Sequence, residues 1–214
     1  MNKQLPEILL IWPGAKRIDE NLLQDLSEKG LSFIEYRPQE GESRQKIIKN
    51  LNILKKTIPT VIINNHVDLL EFSDGVWVGE NDTPLPELKK NPHFKKFKIV
   101  GKTVKTEKQL SFALAHKADA IGVGSVFRSS TKKEAIMTDW AIIEKIIKKS
   151  KIPAYLVGGI NVKNLKLFLK KYPLKGFRIA VSSGILETED PGESFLNLKK
   201  LITKFQKTNR IHRL

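Results

Sequence analysis

The feature that most constrains this chain is a regular alternation of short apolar runs with segments of helical periodicity. The runs are rich in Val and Ile, and the segments between them have the spacing of amphipathic helices. Strands that alternate with helices in this way predict a parallel sheet. The sequence contains eight such runs, which are EILLIWP, LSFIEYRP, TVIINN, DGVWVGE, FKIVGKTV, DAIGVGSVF, IPAYLVGGI and GFRIAVSSGIL.

Two arrangements of a parallel sheet compete, a closed barrel and an open doubly wound sheet. The open sheet would want a Gly-rich phosphate loop after its first strand, whereas the first run here ends in WPGAKR. A closed barrel needs about 200 residues, and the chain has 214. No linker, tandem repeat or low-complexity tract indicates a second domain. We therefore predict an α/β fold, a single-domain (β/α)₈ TIM barrel over residues 1–214.

Several kinds of site and location are excluded by composition. Cysteine is absent, which removes disulfides, thiolate catalysis and Cys-rich zinc sites. The N-terminal apolar run is too short for a signal peptide, and no stretch approaches the roughly 18–20 apolar residues of a membrane span. We expect a cytoplasmic protein with no membrane partner.

The formal net charge of +15 raises the question of nucleic acid. The lysines fall mainly on what the periodicity predicts to be outer helix faces, and no aromatic residues interleave with them as base-stacking surfaces require. A solvated basic surface is favoured, and a nucleic-acid partner is not expected.

Three predicted loops carry groups that suit an anion. In a barrel, phosphate often binds at the loops after strands seven and eight, where this chain has residues 158–159 and 182–184. Glycines let backbone N–H groups approach a phosphate, and the helix predicted to begin after Asn161 adds its dipole. The sixth loop contributes hydroxyls and a lysine at residues 129–132. These loops should meet at one rim and bind phosphate.

Four motifs give the chain a resemblance to a known family. GVGSVFRSSTKKEA resembles a loop of the thiamin phosphate synthase and TenI (thiazole tautomerase) family, in which a Gly-x-Gly strand runs into Thr-x-Thr-Lys-Lys. LVGGIN resembles its Gly-Gly-Ile phosphate loop, and VSSGILETEDP its last strand and helix start. IINNHVDLLEFSDGVWVGENDTPL resembles its Asn-Asp-Arg…Asp-Gly-Val-His-x-Gly-Gln-x-Asp stretch. The motifs occur in order over nearly the whole chain.

The resemblance implies a barrel enzyme that couples a pyrimidine pyrophosphate to thiazole phosphate, giving thiamin phosphate and pyrophosphate. The departing pyrophosphate gathers negative charge, so preplaced cations are needed. On the family pattern, the catalytic residues are Arg37, which would bind the pyrophosphate with paired N–H groups, and Lys132. Mg²⁺ would be bound by Asp82 and Asn65, where Asn65 replaces an aspartate and weakens the site.

The resemblance also implies a set of substrate-binding residues. The partners would be phosphorylated small molecules, namely thiazole phosphate and the pyrimidine pyrophosphate. The sequence leaves open whether the chain forms a homo-oligomer. Asn64 would lie near the pyrimidine, Thr103 stands where the family has a serine, and backbone groups of the seventh and eighth loops would bind phosphate. The substrate-binding residues implied are Asn64, Thr103, Ser129, Thr131, Gly158, Gly159, Ser182 and Ser183.

Departures from the family pattern leave an alternative function open. Glu35 replaces a glutamine, Gln39 a lysine and Trp77 a histidine. In the tautomerase branch a histidine moves the proton, and Lys105 stands in its place, where an unperturbed lysine titrates too high for an efficient base. The alternative is a TenI-like paralogue, either a tautomerase or a lapsed protein that binds thiazole phosphate.

Overall fold

The computed structural model describes residues 5–80, 82–88, 90–94, 99–128, 137–172 and 176–211, with side chains up to residue 205. Each of the eight apolar runs contains one strand. The strands pair in parallel, each with the next along the chain, and the first pairs with the eighth. The strands are β1 Ile8–Pro13, β2 Phe33–Arg37, β3 Thr60–Asn64, β4 Gly75–Val78, β5 Ile99–Val104, β6 Ala120–Val123, β7 Ala154–Val157 and β8 Phe177–Val181.

The closed barrel confirms the predicted fold class and rules out the open sheet. Closure is made by Ile8, which stands beside Ile179, and by Leu10 beside Val181. Helices follow the strands along the chain, and two of them come after the last strand. They are α1 Glu20–Glu28, α2 Arg44–Thr57, α3 Leu85–Leu88, α4 Glu107–Ala115, α5 Trp140–Lys149, α6 Val162–Lys171, α7 Ser183–Leu186 and α8 Pro191–Ile211, with a 3₁₀ helix at Val67–Phe72.

Alternate residues of each strand enter two separate cores. One face of the strands packs against the helices in a large apolar layer. The other face fills the barrel interior, where Leu9, Phe33, Ile62, Ile99 and Tyr155 pack together. Burial on both faces explains why the strand segments read as nearly continuous apolar runs.

Helix starts follow the expected capping chemistry, with one shift. Thr106 and Asn161 each form a capping box at the start of α4 and α6. Thr138 is the first residue before α5 that suits a cap, but Asp139, one residue later, occupies that position and accepts a hydrogen bond from the Ala141 N–H. A carboxylate is as good an acceptor as a hydroxyl at this position, so both residues satisfied the sequence rule. None of the described helices is both long enough and apolar enough to span a bilayer.

Candidate active site

A cavity of about 580 Å³ opens inside the barrel rim at the carboxyl ends of the strands. Its volume lies in the range of roughly 300–1,000 Å³ that is usual for small-molecule sites. All eight strands contribute to its wall. The polar and charged residues among those described that line it are Glu35, Arg37, Asn64, Asn65, Glu80, Asp82, Thr103, Lys105, Ser125, Ser182 and Ser183.

Most of the residues that the sequence singled out meet in this cavity. They come from the second, third, fourth, fifth, seventh and eighth strands and the loops that follow. The predicted residues that line the cavity are Arg37, Asn64, Asn65, Asp82, Thr103, Gly158, Ser182 and Ser183.

The sixth loop is described only in part. Ser129, Thr131 and Lys132 lie outside the described residues. The start of the loop runs beside the seventh strand, where the Val126 N–H donates to the Val157 carbonyl at 2.9 Å. A Cβ on Gly158, whose φ is +107°, would lie 2.2 Å from the Ser125 Oγ, so only glycine fits there.

Gly159 is placed differently from its neighbour. It is not among the described residues that line the cavity. A Cβ on it would lie 2.3 Å from the Arg128 carbonyl oxygen, and its own carbonyl accepts a bond from Asn164 Nδ2 at 2.7 Å. Gly159 therefore packs against the sixth loop and α6, and its binding of phosphate stays a prediction.

Strand β2 presents two ionisable side chains to the cavity, Glu35 and Arg37. They are two residues apart, so both point to the interior. Glu35 is only 3% exposed. Burial raises the pKa of its carboxyl to about 7, although the charge of Arg37 and a hydrogen bond from Asn64 lower it. Near neutral pH, Glu35 is thus divided between its acid and carboxylate forms.

The two expected magnesium ligands converge on one backbone group. The Gly79 N–H donates to Asp82 Oδ2 and lies 3.4 Å from Asn65 Oδ1. Asn65 has a φ of +63°, a conformation that asparagine tolerates better than most residues. Mg²⁺ is commonly held by one or two carboxylates together with substrate phosphates. One carboxylate and one amide oxygen meet the lower limit of that requirement, so the donor set fits Mg²⁺.

Trp77 forms the apolar floor of the cavity. A Cβ on Gly101 would lie 2.0 Å from its ring and one on Gly122 would lie 2.7 Å from it, so the indole packs closely against two glycines. Its Nε1–H donates to Thr103 Oγ1 at 3.2 Å. Because Thr103 accepts that bond, its own hydroxyl proton is available to a ligand.

Two lysines of the fifth strand and its loop are held by groups from the fourth loop. Lys105 Nζ lies 2.5 Å from Glu80 Oε2, and its hydrogen bond is the main cause that lowers the pKa of Glu80. Lys102 is buried, its Nζ donates to the Gly79 carbonyl, and burial lowers its pKa. Lys105 is therefore engaged in an ion pair with a carboxylate, which opposes its use as a proton-accepting base.

Sequence reasoning identified Glu35 and Trp77 only as departures from a family pattern and did not place Lys102 at all. Position in the strand was the available signal for Glu35, because it lies two residues from the predicted site residue Arg37 on the same strand. Lys102 lies on the outer strand face, where a charged residue in an apolar run was the only indication.

The chain matches the family model described as thiamine monophosphate synthase over residues 10–185. It is 33% identical over 173 residues to the thiamine-phosphate synthase of Clostridioides difficile, covering 78% of this chain and 80% of that protein. It is 32% identical to the protein of the same name from a Hydrogenobaculum species, covering 91% and 92%.

Solved structures show the same fold. The thiamine phosphate pyrophosphorylase of Pyrococcus furiosus superposes with a TM-score of 0.77 at 23% identity, covering 93% of this chain and 96% of that one. The corresponding protein of Bacteroides thetaiotaomicron gives a TM-score of 0.65 at 18% identity. These matches agree with the closed barrel.

Proposed function

This chain belongs to the thiamine monophosphate synthase family, and from that premise we propose that it couples 4-amino-2-methyl-5-hydroxymethylpyrimidine pyrophosphate with thiazole phosphate. The bond between the pyrimidine methylene carbon and pyrophosphate breaks, and the same carbon bonds to the thiazole nitrogen. The products are thiamin phosphate and pyrophosphate. The observation that carries the proposal is the meeting of eight predicted site residues in one cavity of a family member.

The chain's own residues would bind and orient the two substrates. Arg37 would bind the pyrophosphate through two parallel N–H groups, and its charge would offset the charge that grows on the leaving group. Lys132 would add a second cation. Trp77 offers an apolar surface to a heteroaromatic ring. The Thr103 hydroxyl, which accepts a hydrogen bond from Trp77, can donate its own proton to a substrate bound on that surface.

The thiazole phosphate would bind where the last loops meet. Gly158, Ser182 and Ser183 line this side of the cavity, and glycine at position 158 allows close approach of the backbone. Gly159, Ser129 and Thr131 are proposed to complete the set. The anionic groups of both substrates are then held on different sides of the same mouth.

We propose Asp82 and Asn65 as the residues that would hold Mg²⁺. When bound, the ion would neutralise charge on the pyrophosphate. Because Asn65 brings no charge, this site should need more Mg²⁺ than one with two carboxylates. We further propose that residues 1–214 form one domain, that the protein acts in the cytoplasm, and that a homo-oligomer is compatible with its activity.

The tautomerase alternative is disfavoured by the ion pair between Lys105 and Glu80. A lysine that is engaged by a carboxylate is not free to take a proton from the thiazole. The lapsed paralogue would bind thiazole phosphate without turning it over, and a calorimetric titration combined with the assay below separates it from the synthase.

The test of the proposed function is direct synthesis of thiamin phosphate. Purified protein would be mixed with both substrates over a range of Mg²⁺ concentrations, and product followed by chromatography. We expect thiamin phosphate and an equal amount of pyrophosphate. No product at any Mg²⁺ concentration would overturn the proposal, and binding of thiazole phosphate in the same preparation would then assign the lapsed alternative.

A further inference from the structure

A buried carboxyl group faces the cavity one layer below the rim. Glu35 lies on β2 with Ile11 of β1 on one side and Ile62 of β3 on the other. Both neighbours are apolar, and Glu35 itself is 3% exposed. A carboxylate in such surroundings is costly unless it is paired, so the neutral acid is favoured.

The charges around Glu35 do not fully pair it. Among the described residues, the other charged side chains that line the cavity are Arg37, Glu80, Asp82 and Lys105. Lys105 is already paired with Glu80. From the neighbouring strands β1 and β3, the polar group that reaches Glu35 is Asn64. Despite Arg37 and Asn64, burial dominates and raises the pKa of Glu35 to about 7.

The position of Glu35 relative to Arg37 matches the shape of the proposed substrate. Glu35 comes two residues before Arg37 on the same strand, and both line the cavity. The spacing places it roughly 6–7 Å deeper along the strand. If Arg37 binds the pyrophosphate at the rim, the ring that is joined to it by one methylene group lies one layer below, between Glu35 and the Trp77 floor.

The protonation state of Glu35 determines which hydrogen-bond donors and acceptors its carboxyl group offers to that ring. An aminopyrimidine presents a ring nitrogen that accepts a hydrogen bond beside an amino group that donates one. A neutral carboxylic acid has the complementary pair, an O–H donor and a C=O acceptor. A carboxylate has only acceptors, so its oxygen would face the ring nitrogen lone pair without a proton between them.

We infer that Glu35 and the aminopyrimidine share one proton in the complex, so that binding of the pyrimidine is coupled to proton uptake at this side chain. The proton lies between the carboxyl and the ring nitrogen, and the second carboxyl oxygen accepts from the amino group. Binding therefore weakens as pH rises. The inference rests on the proposed function for the identity of the ring, and it assigns to this chain a pH dependence that a glutamine at position 35 would lack.

The test uses the free alcohol, 4-amino-5-hydroxymethyl-2-methylpyrimidine, so that neither pyrophosphate nor metal takes part. Isothermal titration of the full chain at pH 7 and pH 9 should show the dissociation constant rising about fifty-fold, the factor expected for loss of one proton from a group titrating near 7. At pH 9, titrations in buffers of different ionisation enthalpy should show uptake of about one proton. This measurement needs no variant.

Two substitutions sharpen the test. Glu35→Gln keeps the donor and acceptor pair without titrating, and its dissociation constant should change less than about twofold over the same pH range. Glu80→Gln removes another cavity carboxyl and should keep the fifty-fold dependence of the wild-type protein. If Glu35→Gln kept that dependence, or if the wild type took up no proton at pH 9, the inference would be overturned.

The outcome is separable from that of the proposed function. A wild-type protein that makes thiamin phosphate but binds the alcohol equally well at both pH values contradicts only the role of Glu35. A protein that makes no thiamin phosphate yet binds the alcohol with proton uptake contradicts only the proposed reaction. Absence of binding at millimolar alcohol at pH 7 would overturn the inference as well.

Discussion

The barrel interior has a lower layer of large apolar side chains such as Phe33 and Tyr155, and an upper layer that contains the charged and polar side chains of the cavity. Phe33 and Tyr155 meet edge to face in the lower half, with ring centroids 6.2 Å apart. Two residues above Phe33 stands Glu35, and two above that stands Arg37. The lower layer closes the barrel and the upper layer opens into the cavity, so stability and chemistry are separated along each strand.

The comparison predicts its largest effect for Phe33→Ala in the lower layer. Phe33 is fully buried, and removing a buried phenylalanine ring costs about 3–5 kcal/mol of the free energy of unfolding. Denaturant titration would measure that loss. The turnover number of the molecules that remain folded should stay within about twofold of the wild type if the layers are separate. A large fall in turnover with little loss of stability would break the comparison.

Next in size is the effect of Arg37→Ala in the upper layer, which should lower activity and leave stability nearly unchanged. Loss of the guanidinium should lower kcat/KM for thiamin phosphate formation about 10²–10³-fold, the size expected for one preplaced group at a developing charge. Unfolding by denaturant should change little. Arg44→Ala is the matched control, since Arg44 is half exposed and paired with Asp68 on the outer surface. Equal losses of kcat/KM in the two variants would contradict the role of Arg37 in binding the pyrophosphate.

The third effect, tested with Glu35→Gln, is a loss of stability at high pH that the buried Glu35 carboxylate of the upper layer causes. Because the folded pKa of Glu35, about 7, lies above the ordinary value of 4.5, the folded protein holds more protons than the unfolded chain between these values. The contribution of Glu35 to the free energy of unfolding is therefore fully present below about pH 4.5. It is lost as pH rises through 7, a total of roughly 3 kcal/mol.

The variant lacks this titration. Its unfolding free energy relative to that of the wild type should rise between pH 5 and pH 8, measured by denaturant titration at each pH. If the difference in unfolding free energy between the two proteins stayed constant with pH, the raised pKa of Glu35 would be contradicted. Glu87→Gln, at an exposed position on α3, serves as the control and should track the wild type.

Trp77→Phe should have the smallest effect, because it lies at the boundary of the two layers. The change removes the hydrogen bond to Thr103 but keeps an aromatic ring over Gly101 and Gly122. We expect a loss of about 1 kcal/mol in the free energy of unfolding, the usual size of one hydrogen bond. The Michaelis constants should rise a few fold with little change in kcat. A fall in kcat as large as that of Arg37→Ala would mean that Trp77 orients the reacting groups.

Much of the fold followed from pattern alone. All eight strands lie inside the predicted apolar runs. The meeting of residues as distant as Arg37 and Ser182 was also predictable, because parallel strands of a barrel end at the same rim. The sequence does not distinguish Thr138 from Asp139 as the cap of α5, since both side chains could fill that position.

The chain by itself determined the barrel and the set of polar residues at its rim, because strand spacing and residue alternation are local properties that survive any detail of packing. Only the tertiary structure decided how those residues interact. The pKa of Glu35 depends on how much water its neighbours exclude, and the approach of Asn65 and Asp82 to Gly79 N depends on a backbone turn. The indole of Trp77 forms a floor because two glycines from other strands leave it space. Desolvation and close packing join residues far apart in sequence, so neither can be read from local pattern.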